Sequence, residues 1–332
     1  MRLNVGKVPN EILRDIVFPR LGVVNSSVLL GPNIGEDAAI LRIGGKLVAF
    51  KSDPITGSVD EVGFLAIHVN ANDIATRGAD PKWFLQCILL PEGSTLESLD
   101  KITWQMDSAA KEIGVSIVGG HTEVTPGIER AIVVGSMIGI IRNSRFFTSG
   151  GARPGDLLYM TKYAGLEGTA ILSSDKRILS SQGESFVSRC KSLLTLISVV
   201  RECRILREIE GVTSMHDLTE GGVLGGVWEL AEAASIGVSI DLRCVPVLPE
   251  TRIICEELGL DPYRLISSGS LLFTVARGSE REVELSLKSS GIPFTKIGAL
   301  LPPSEGRHYI DAQGKINPLE PPSTDELWRG VK

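Results

Sequence analysis

The 332 residues amount to two domains' worth of chain, because single cores stop growing at about 250 residues, and 43% hydrophobic with 22% charged content excludes a disordered bulk. The net charge of −6 and an isoelectric point near 5.4 lack the basic surplus of a nucleic-acid binder, and Lys and Arg form no cluster that would hold a membrane surface. The opening MRLNVGKVPNEILRD has no apolar signal region and no apolar run reaches bilayer length, so a cytoplasmic protein that binds neither nucleic acid nor membrane is expected.

Along the chain, residues 10–22 read as a short amphipathic helix ended by Pro19 and Gly22. A loop at 31–37 leads into strands at 38–43 and 46–50, which flank a Gly44-Gly45 turn. Apolar residues at helical spacing (Val62, Leu65, Ile67, Val69, Ile74) give a helix over 60–77, closed by Gly78. An apolar strand at 83–90 precedes a helix at 96–113 stopped by Gly114. Strands at 115–118 and 131–141 follow, divided by a GGHTEVTPGIE loop.

The turn-rich stretch 148–156 marks a boundary, giving domains 1–147 and 148–332. Beyond it come a strand at 157–161, a glycine-bearing loop at 164–168 and helices at 184–209 and 221–235. Strands at 238–242, 271–276 and 294–300, with helices near 250–258 and 279–290, complete a second unit. Both halves are expected to be α/β (α+β) in class.

Five cysteines (Cys87, Cys190, Cys203, Cys244, Cys255) contain no CxxC pair, so neither a zinc site nor a disulfide framework is expected; most read as small core residues, with Cys190 and Cys203 in helix-like, partly charged segments. Of four dispersed histidines, His68 sits in an apolar helix and reads as core, and His308 has no informative context. His121 and His216 lie in acidic, glycine-rich segments where they can donate protons or meet phosphate.

Acids recur beside glycines or at strand ends, which is not where solubility alone places them. They stand in Gly35-Glu36-Asp37, Lys51-Ser52-Asp53, Asn72-Asp73, Gly119-Gly120-His121-Thr122-Glu123 and His216-Asp217-Leu218-Thr219-Glu220-Gly221-Gly222. Singly, Asp37 and Asp217 read as turn caps and Asp53 as a solvated strand end. Asn72-Asp73 is harder to assign that way, because Val69, Ala71, Ile74 and Ala75 around it suggest burial, and a buried carboxylate needs a cation or several donors. Together with two Gly-Gly segments the set points to Mg2+ and a nucleotide: carboxylates suit the metal and glycine-started helices offer N–H groups to phosphates. Neither GxxxxGK[ST] nor a strand-linked GxGxxG is present, so the phosphate-binding fold is neither P-loop nor Rossmann.

The succession GEDAA, a strand ending in SDP, VNANDIATRGADPKWF, GGHTEV, a TK strand with GLEG, HDLTEGG and SSGSLLF resembles the aminoimidazole ribonucleotide synthetase (PurM-like) superfamily. This superfamily includes selenophosphate synthetase, thiamine-monophosphate kinase and the hydrogenase-maturation protein HypE. The similarity covers residues 7–299 and is greatest to the HypE-like branch, in KVPNEILRDIVFPRLG and DLTEGGV. It implies a two-domain PurM-like fold whose N-terminal sheet forms a barrel across a homodimer, with a C-terminal α/β domain. It also implies ATP with Mg2+ near the acidic loops. By motif match, Asp37, Asp53 and Asp73 fall where the family places metal- or phosphate-contacting acids, with Asn72 in the same helix motif. Gly119, Gly120 and Thr122 match one phosphate loop, and Asp217, Gly221 and Gly222 another. Lys51 and Lys162 are candidates to neutralise charge developing in phosphoryl transfer, His121 for proton transfer, and Asp217 is a further catalytic candidate.

The sequence departs from HypE in three places, one of them Ile266-Ser267-Ser268-Gly269, where HypE has a glutamate beside a glycine before the late strand. No cysteine follows Cys255, where HypE proteins resemble one another in a Pro-Arg-Ile-Cys tail, and Glu220 stands where their DxTRGG loop has arginine. The tail approach, Asn317-Pro-Leu-Glu-Pro-Pro-Ser, reads as flexible and would deliver Lys332. The expectation is therefore an ATP- and Mg2+-dependent HypE-like enzyme that activates an unidentified small substrate without thiol carriage. The alternatives are a small-metabolite kinase like thiamine-monophosphate kinase, and a nucleotide-binding assembly protein without turnover.

Overall fold

A computed structural model describes residues 3, 5–57, 60–322 and 324–331. Lys332, named above as the tail's delivered group, lies outside the described residues. The chain divides into two units. The first comprises Asn25–Gly31 and Asp37–Phe146; the second takes the described chain up to Val24, Pro32–Glu36 and everything from Phe147 onward.

The first unit carries β1 (Val28–Leu30), β2 (Ala39–Ile43), β3 (Lys46–Ile55), β4 (Asp80–Leu90), β5 (Ser116–Val124) and β6 (Ile132–Ile141) in one sheet of order β1-β2-β3-β6-β4-β5. All neighbours run antiparallel except β4 and β5. Gly44 and Gly45 both take positive φ between β2 and β3, the conformation a two-residue hairpin turn requires. Helix α2 (Val62–Thr76) lies against β3 and β6, with α3 (Leu96–Ile113) packed on α2. The close approach of α2 depends on two glycines of β6: a Cβ on Gly135 would stand 2.4 Å from the Asn70 amide nitrogen, and one on Gly139 2.3 Å from Ile74. Thr95 caps the start of α3 and Gly114, with φ of 75°, closes its end, so local signals suffice to delimit that helix.

The other face of this sheet is mostly apolar, interrupted by the hydrogen-bonded Ser52 and Ser136 and, on β5, by His121 and Glu123. Burial alternates residue by residue along β6, leaving Ile132, Val134, Ile138 and Ile140 half-buried, and β4 exposes Trp83 and Leu85 beside them. The expected loop after residue 118 is instead strand: β5 continues through Gly119-Gly120-His121-Thr122-Glu123, because parallel pairing with Leu85–Leu90 occupies its backbone. A Cβ on Gly120 would lie 2.0 Å from the Gln86 carbonyl oxygen, so glycine is what lets the two strands meet there.

The second unit begins with α1 (Asn10–Ile12), continued as π-helical turns over Leu13–Val17, so the expected helix over 10–22 is shorter and wider than its pattern suggests. Its sheet has the order β13-β12-β9-β11-β7-β10-β8, with strands β7 (Leu157–Thr161), β8 (Val212–Asp217), β9 (Gly237–Asp241), β10 (Leu271–Val275), β11 (Phe294–Leu301), β12 (Arg307–Ile310) and β13 (Ile316–Pro318). Central β7 and β10 are buried at every position, which is why they read as unbroken apolar runs. Helix α8 (Gly222–Ala233) joins Leu158, Met160, Val238, Ile240 and Leu272 in one apolar cluster. A second cluster gathers side chains from α4 (Leu166–Leu172), α5 (Lys176–Gln182), α6 (Glu184–Ser192), α9 (Pro249–Leu258) and α11 (Glu326–Gly330). Helices α7 (Val200–Leu206) and α10 (Glu280–Ser289) complete the unit.

Two expectations are corrected here. Residues 184–209 are not one helix: α6 gives way to 3-10 turns at Leu193–Leu196 before α7 begins. The Lys162 ammonium draws the Leu196 and Ser198 carbonyls to itself, and those oxygens are lost to any continuous helix. Residues 316–318 are not a free approach but strand, paired to His308–Ile310, with Leu319 and Leu327 buried beyond. Among the described residues, no helix is long and apolar enough to cross a membrane.

Candidate functional site

In the first unit, two acids singled out in the sequence come together. Asp37, just before β2, and Asp73, in α2, are both buried and present carboxylate oxygens within 4.8 Å of one another. Like charges at that separation cannot share a buried space without cations. Two are in place: Lys51 Nζ lies 3.3 Å from Asp73 Oδ2, and an Arg77 guanidinium nitrogen donates to Asp37 Oδ2 at 2.8 Å. Arg77 was not singled out in the sequence, where a basic residue before Gly78 reads as an ordinary helix-end cation.

Asp53 stands two residues beyond Lys51 on β3, half-buried, and does not belong to the Asp37–Asp73 group among the described residues. Its backbone is clasped by Asn70: the Asp53 N–H donates to Asn70 Oδ1 at 3.0 Å and Asn70 Nδ2 donates to the Asp53 carbonyl at 3.2 Å. Asn70 lies one turn before Asp73 on α2, a helical spacing that could have drawn attention to it. Asn72 is buried on the same helix. Gly119, Gly120, His121 and Thr122 lie exposed in β5, and His121 Nε2 is 3.0 Å from Glu123 Oε2. The Thr125 hydroxyl, with His121, holds the Glu123 carboxyl below its ordinary range.

In the second unit, Asp217 ends β8 and is buried. Gly221 and Gly222 open α8 with φ of 85° and 61°, and a Cβ on Gly222 would meet the Leu265 and Tyr263 carbonyls at 2.7 and 2.8 Å. The Gly221 N–H donates to Asp325 Oδ2 at 2.6 Å, so this loop already presents a backbone donor to an anion, here a carboxylate of the same chain. Asp325 also receives the N–H of Ile266 and of Leu327; burial nevertheless pushes its pKa up to about 6. His216 Nε2 lies 3.5 Å from Glu229 Oε2, and Lys7 Nζ donates to Glu229 Oε1 at 2.8 Å. Burial alone would raise Glu229, but the Lys7 ammonium and His216 outweigh it and hold the carboxyl at about 2.

Lys162, a candidate for neutralising transferred charge, is engaged elsewhere. Its ammonium donates to the Leu196 and Ser198 carbonyls and pairs with Glu202 at 2.7 Å, which uses its three N–H donors. Burial lowers its pKa, and Glu202 opposes that.

Comparison with known proteins gives these arrangements a family. Residues 35–141 match the N-terminal domain of AIR synthase related proteins, and residues 153–311 match the C-terminal domain. The chain belongs to the AIR synthase related family. This AIR synthase related protein is 31% identical over 286 residues to a putative hydrogenase expression/formation protein of Methanocaldococcus jannaschii, covering 84% of this chain and 83% of that one. It is 32% identical over 272 residues to the carbamoyl dehydratase HypE of Escherichia coli K12, covering 80% and 78%. A solved HypE in complex with ATP superposes with a TM-score of 0.74 at 25% identity, over 99% of this chain and 98% of that one. HypE from a HypE–HypF complex gives 0.79 at 23% identity, over 94% and 99%, and shares the fold. The thiamine monophosphate kinase of Aquifex aeolicus does so too, with 0.67 at 21% identity over 85% and 92%. The two-domain mixed α/β, PurM-like fold implied by the sequence motifs is thus the fold of this chain.

The acids of the first unit fit the metal that the family implies. Asp37 and Asp73 offer hard, buried carboxylate oxygens near one another, the donor type Mg2+ takes alongside phosphate oxygens and water.

Proposed function

We propose that this protein binds ATP with Mg2+ and uses it to activate a small substrate by phosphoryl transfer, as a HypE-like enzyme. The observation that carries the reading is the buried Asp37–Asp73 pair with Lys51 beside it. Similarity to HypE proteins, one of them solved with ATP, supports it. The division of the sequence into domains at 1–147 and 148–332 belongs to the same proposal; the compact units differ from it by placing the chain up to Val24 and Pro32–Glu36 with the C-terminal part.

Asp37 and Asp73 would hold the metal, with Asp53, which lies outside their group, as a further metal- or nucleotide-contacting acid; when bound, Mg2+ would neutralise polyphosphate charge. Lys51, already within reach of Asp73, moves its ammonium to the transferred phosphoryl oxygens. Asn72, Gly119, Gly120 and Thr122 are the nucleotide-contacting residues of the first unit in this reading; in the second, Gly221 and Gly222 meet phosphate only if their N–H groups leave the Asp325 carboxylate and the Thr219 carbonyl. His121 exchanges a proton with the substrate in this reading, and Asp217 is a further catalytic candidate in the second unit.

Thermal melts with and without Mg-ATP test this: Asp73→Asn is expected to fold and to lose most of the nucleotide-induced stabilisation. An unchanged increment in the variant would remove Asp73 from the site. Isothermal calorimetry with Mg-ATP, followed by a metabolite screen for ADP release, then identifies the substrate.

Thiol carriage is not part of the proposal. Cys190, Cys203 and Cys255 are buried, and burial pushes the Cys190 and Cys255 thiols up to about 12, far from the thiolate a carrier needs. Mass spectrometry after incubation with ATP, carbamoyl phosphate and a carbamoyl-transferring partner is expected to find no adduct on any of the five cysteines; a thiocarbamate or thiocyanate mass would reverse this.

A further inference from the structure

Arg77 heads the wholly buried side chains of the described chain by size, and 0% of its surface reaches solvent. A guanidinium is costly to bury, and its hydrogen bonds indicate what the site obtains from it. One terminal nitrogen donates to Asp37 Oδ2 at 2.8 Å. The Nε donates to Thr76 Oγ1 at 3.3 Å, and that hydroxyl donates to the Asp73 carbonyl at 2.7 Å. A single side chain is therefore connected to both acids, to the carboxylate of one and, through Thr76, to the backbone of the other. Asp37 precedes a strand and Asp73 sits within a helix, 36 positions later, so nothing local fixes their separation.

We infer that Arg77 is the positioning residue of the acid pair: it holds the Asp37 carboxylate in the orientation and at the distance from Asp73 that a divalent cation requires. The inference rests on the metal-holding reading of Asp37 and Asp73 and adds the residue that aligns them. A structural ion pair alone would serve as well with both partners replaced by apolar groups; a positioning residue is coupled to metal affinity through Asp37.

The test is Mn2+ binding to the full chain, read from the free-ion electron paramagnetic resonance signal, with urea midpoints measured alongside. Arg77→Met is expected to weaken Mn2+ binding 10–100-fold, the usual loss when the partner of a metal ligand is removed. Arg77→Lys, which keeps the charge but not the planar fork and whose fold is checked by its urea midpoint, is expected to bind at least several-fold more weakly than the parent, and it decides the matter if Arg77→Met does not fold. Adding Arg77→Met to Asp37→Asn is expected to weaken binding no further. Full affinity in both Arg77 variants, or additive losses in the double variant, overturns the positioning role while leaving the metal site standing. Absence of Mn2+ binding by the parent chain, with and without ATP, overturns both.

Discussion

At the scale of single residues, the buried charges separate into those that stabilise the fold and those that carry chemistry. Lys162 belongs to the first kind: with its ammonium spent on two carbonyls and Glu202, truncation leaves Glu202 buried and uncompensated. Lys162→Ala is expected to cost about 3–5 kcal/mol in urea unfolding. Two carboxyls give opposite pH signatures. Glu229, held at about 2 against 4.5 in an unfolded chain, contributes stability that is present above pH 4.5 and lost as pH falls toward 2. Asp325, raised to about 6 from 3.8, binds its proton more tightly when folded, so stability falls as pH rises from about 4 to 6. Each is worth about 3 kcal/mol at full effect. Unfolding free energies across pH 2–7 are expected to show a shallower fall on the acid side in Glu229→Gln and a shallower decline between pH 4 and 6 in Asp325→Asn. A variant curve parallel to the parent's would refute the corresponding assignment.

At the scale of elements, what was legible in the sequence was what neighbouring residues decide. Helix α3 was bounded correctly because Thr95 and Gly114 mark its ends locally, and β7 because an apolar run between turns is its own signal. The Gly119-Gly120 segment misled because two glycines read as a loop, whereas its strand state comes from β4, more than thirty residues earlier. The candidate acids were legible one by one, since each sits oddly for solubility; that Asp37 and Asp73 share a space, and that Arg77 joins them, depends on how a strand entry and a helix meet. Strand β5 also yields a paired prediction. Gly120→Ala drives a methyl into the Gln86 carbonyl and takes an unfavourable φ, and is expected to destabilise by about 2–4 kcal/mol. Gly119→Ala meets open space and should cost only its backbone strain, about 1 kcal/mol. Equal melting temperatures for the two variants would contradict the close β4–β5 approach.

At the scale of the whole molecule, the first unit's sheet has helices on one face and a mostly apolar surface of Trp83, Leu85, Val134, Ile138 and Ile140 on the other. We propose that a second copy covers it, as the family resemblance implies. Light scattering at micromolar concentration is expected to return about twice the 35.6 kDa of one chain; a mass near 36 kDa would refute it, and Ile138→Asp should produce that smaller species from the parent dimer.

The discontinuity of the second unit bears on how the chain folds during synthesis. Its opening segment, up to Val24, belongs with residues from Phe147 onward, and Lys7 finds Glu229 only across 222 positions of sequence. A ribosome has finished the first unit by Phe146, yet the stretch before it still lacks a place to dock. At roughly 5–20 residues per second, the delay before Glu229 is polymerised is roughly 4–17 s. Throughout it Lys7 lacks its partner Glu229, whereas Ile16, Val17 and Leu21 are exposed in the completed fold as well and lose nothing by the delay. The Lys7–Glu229 tie therefore forms only after the first unit is complete.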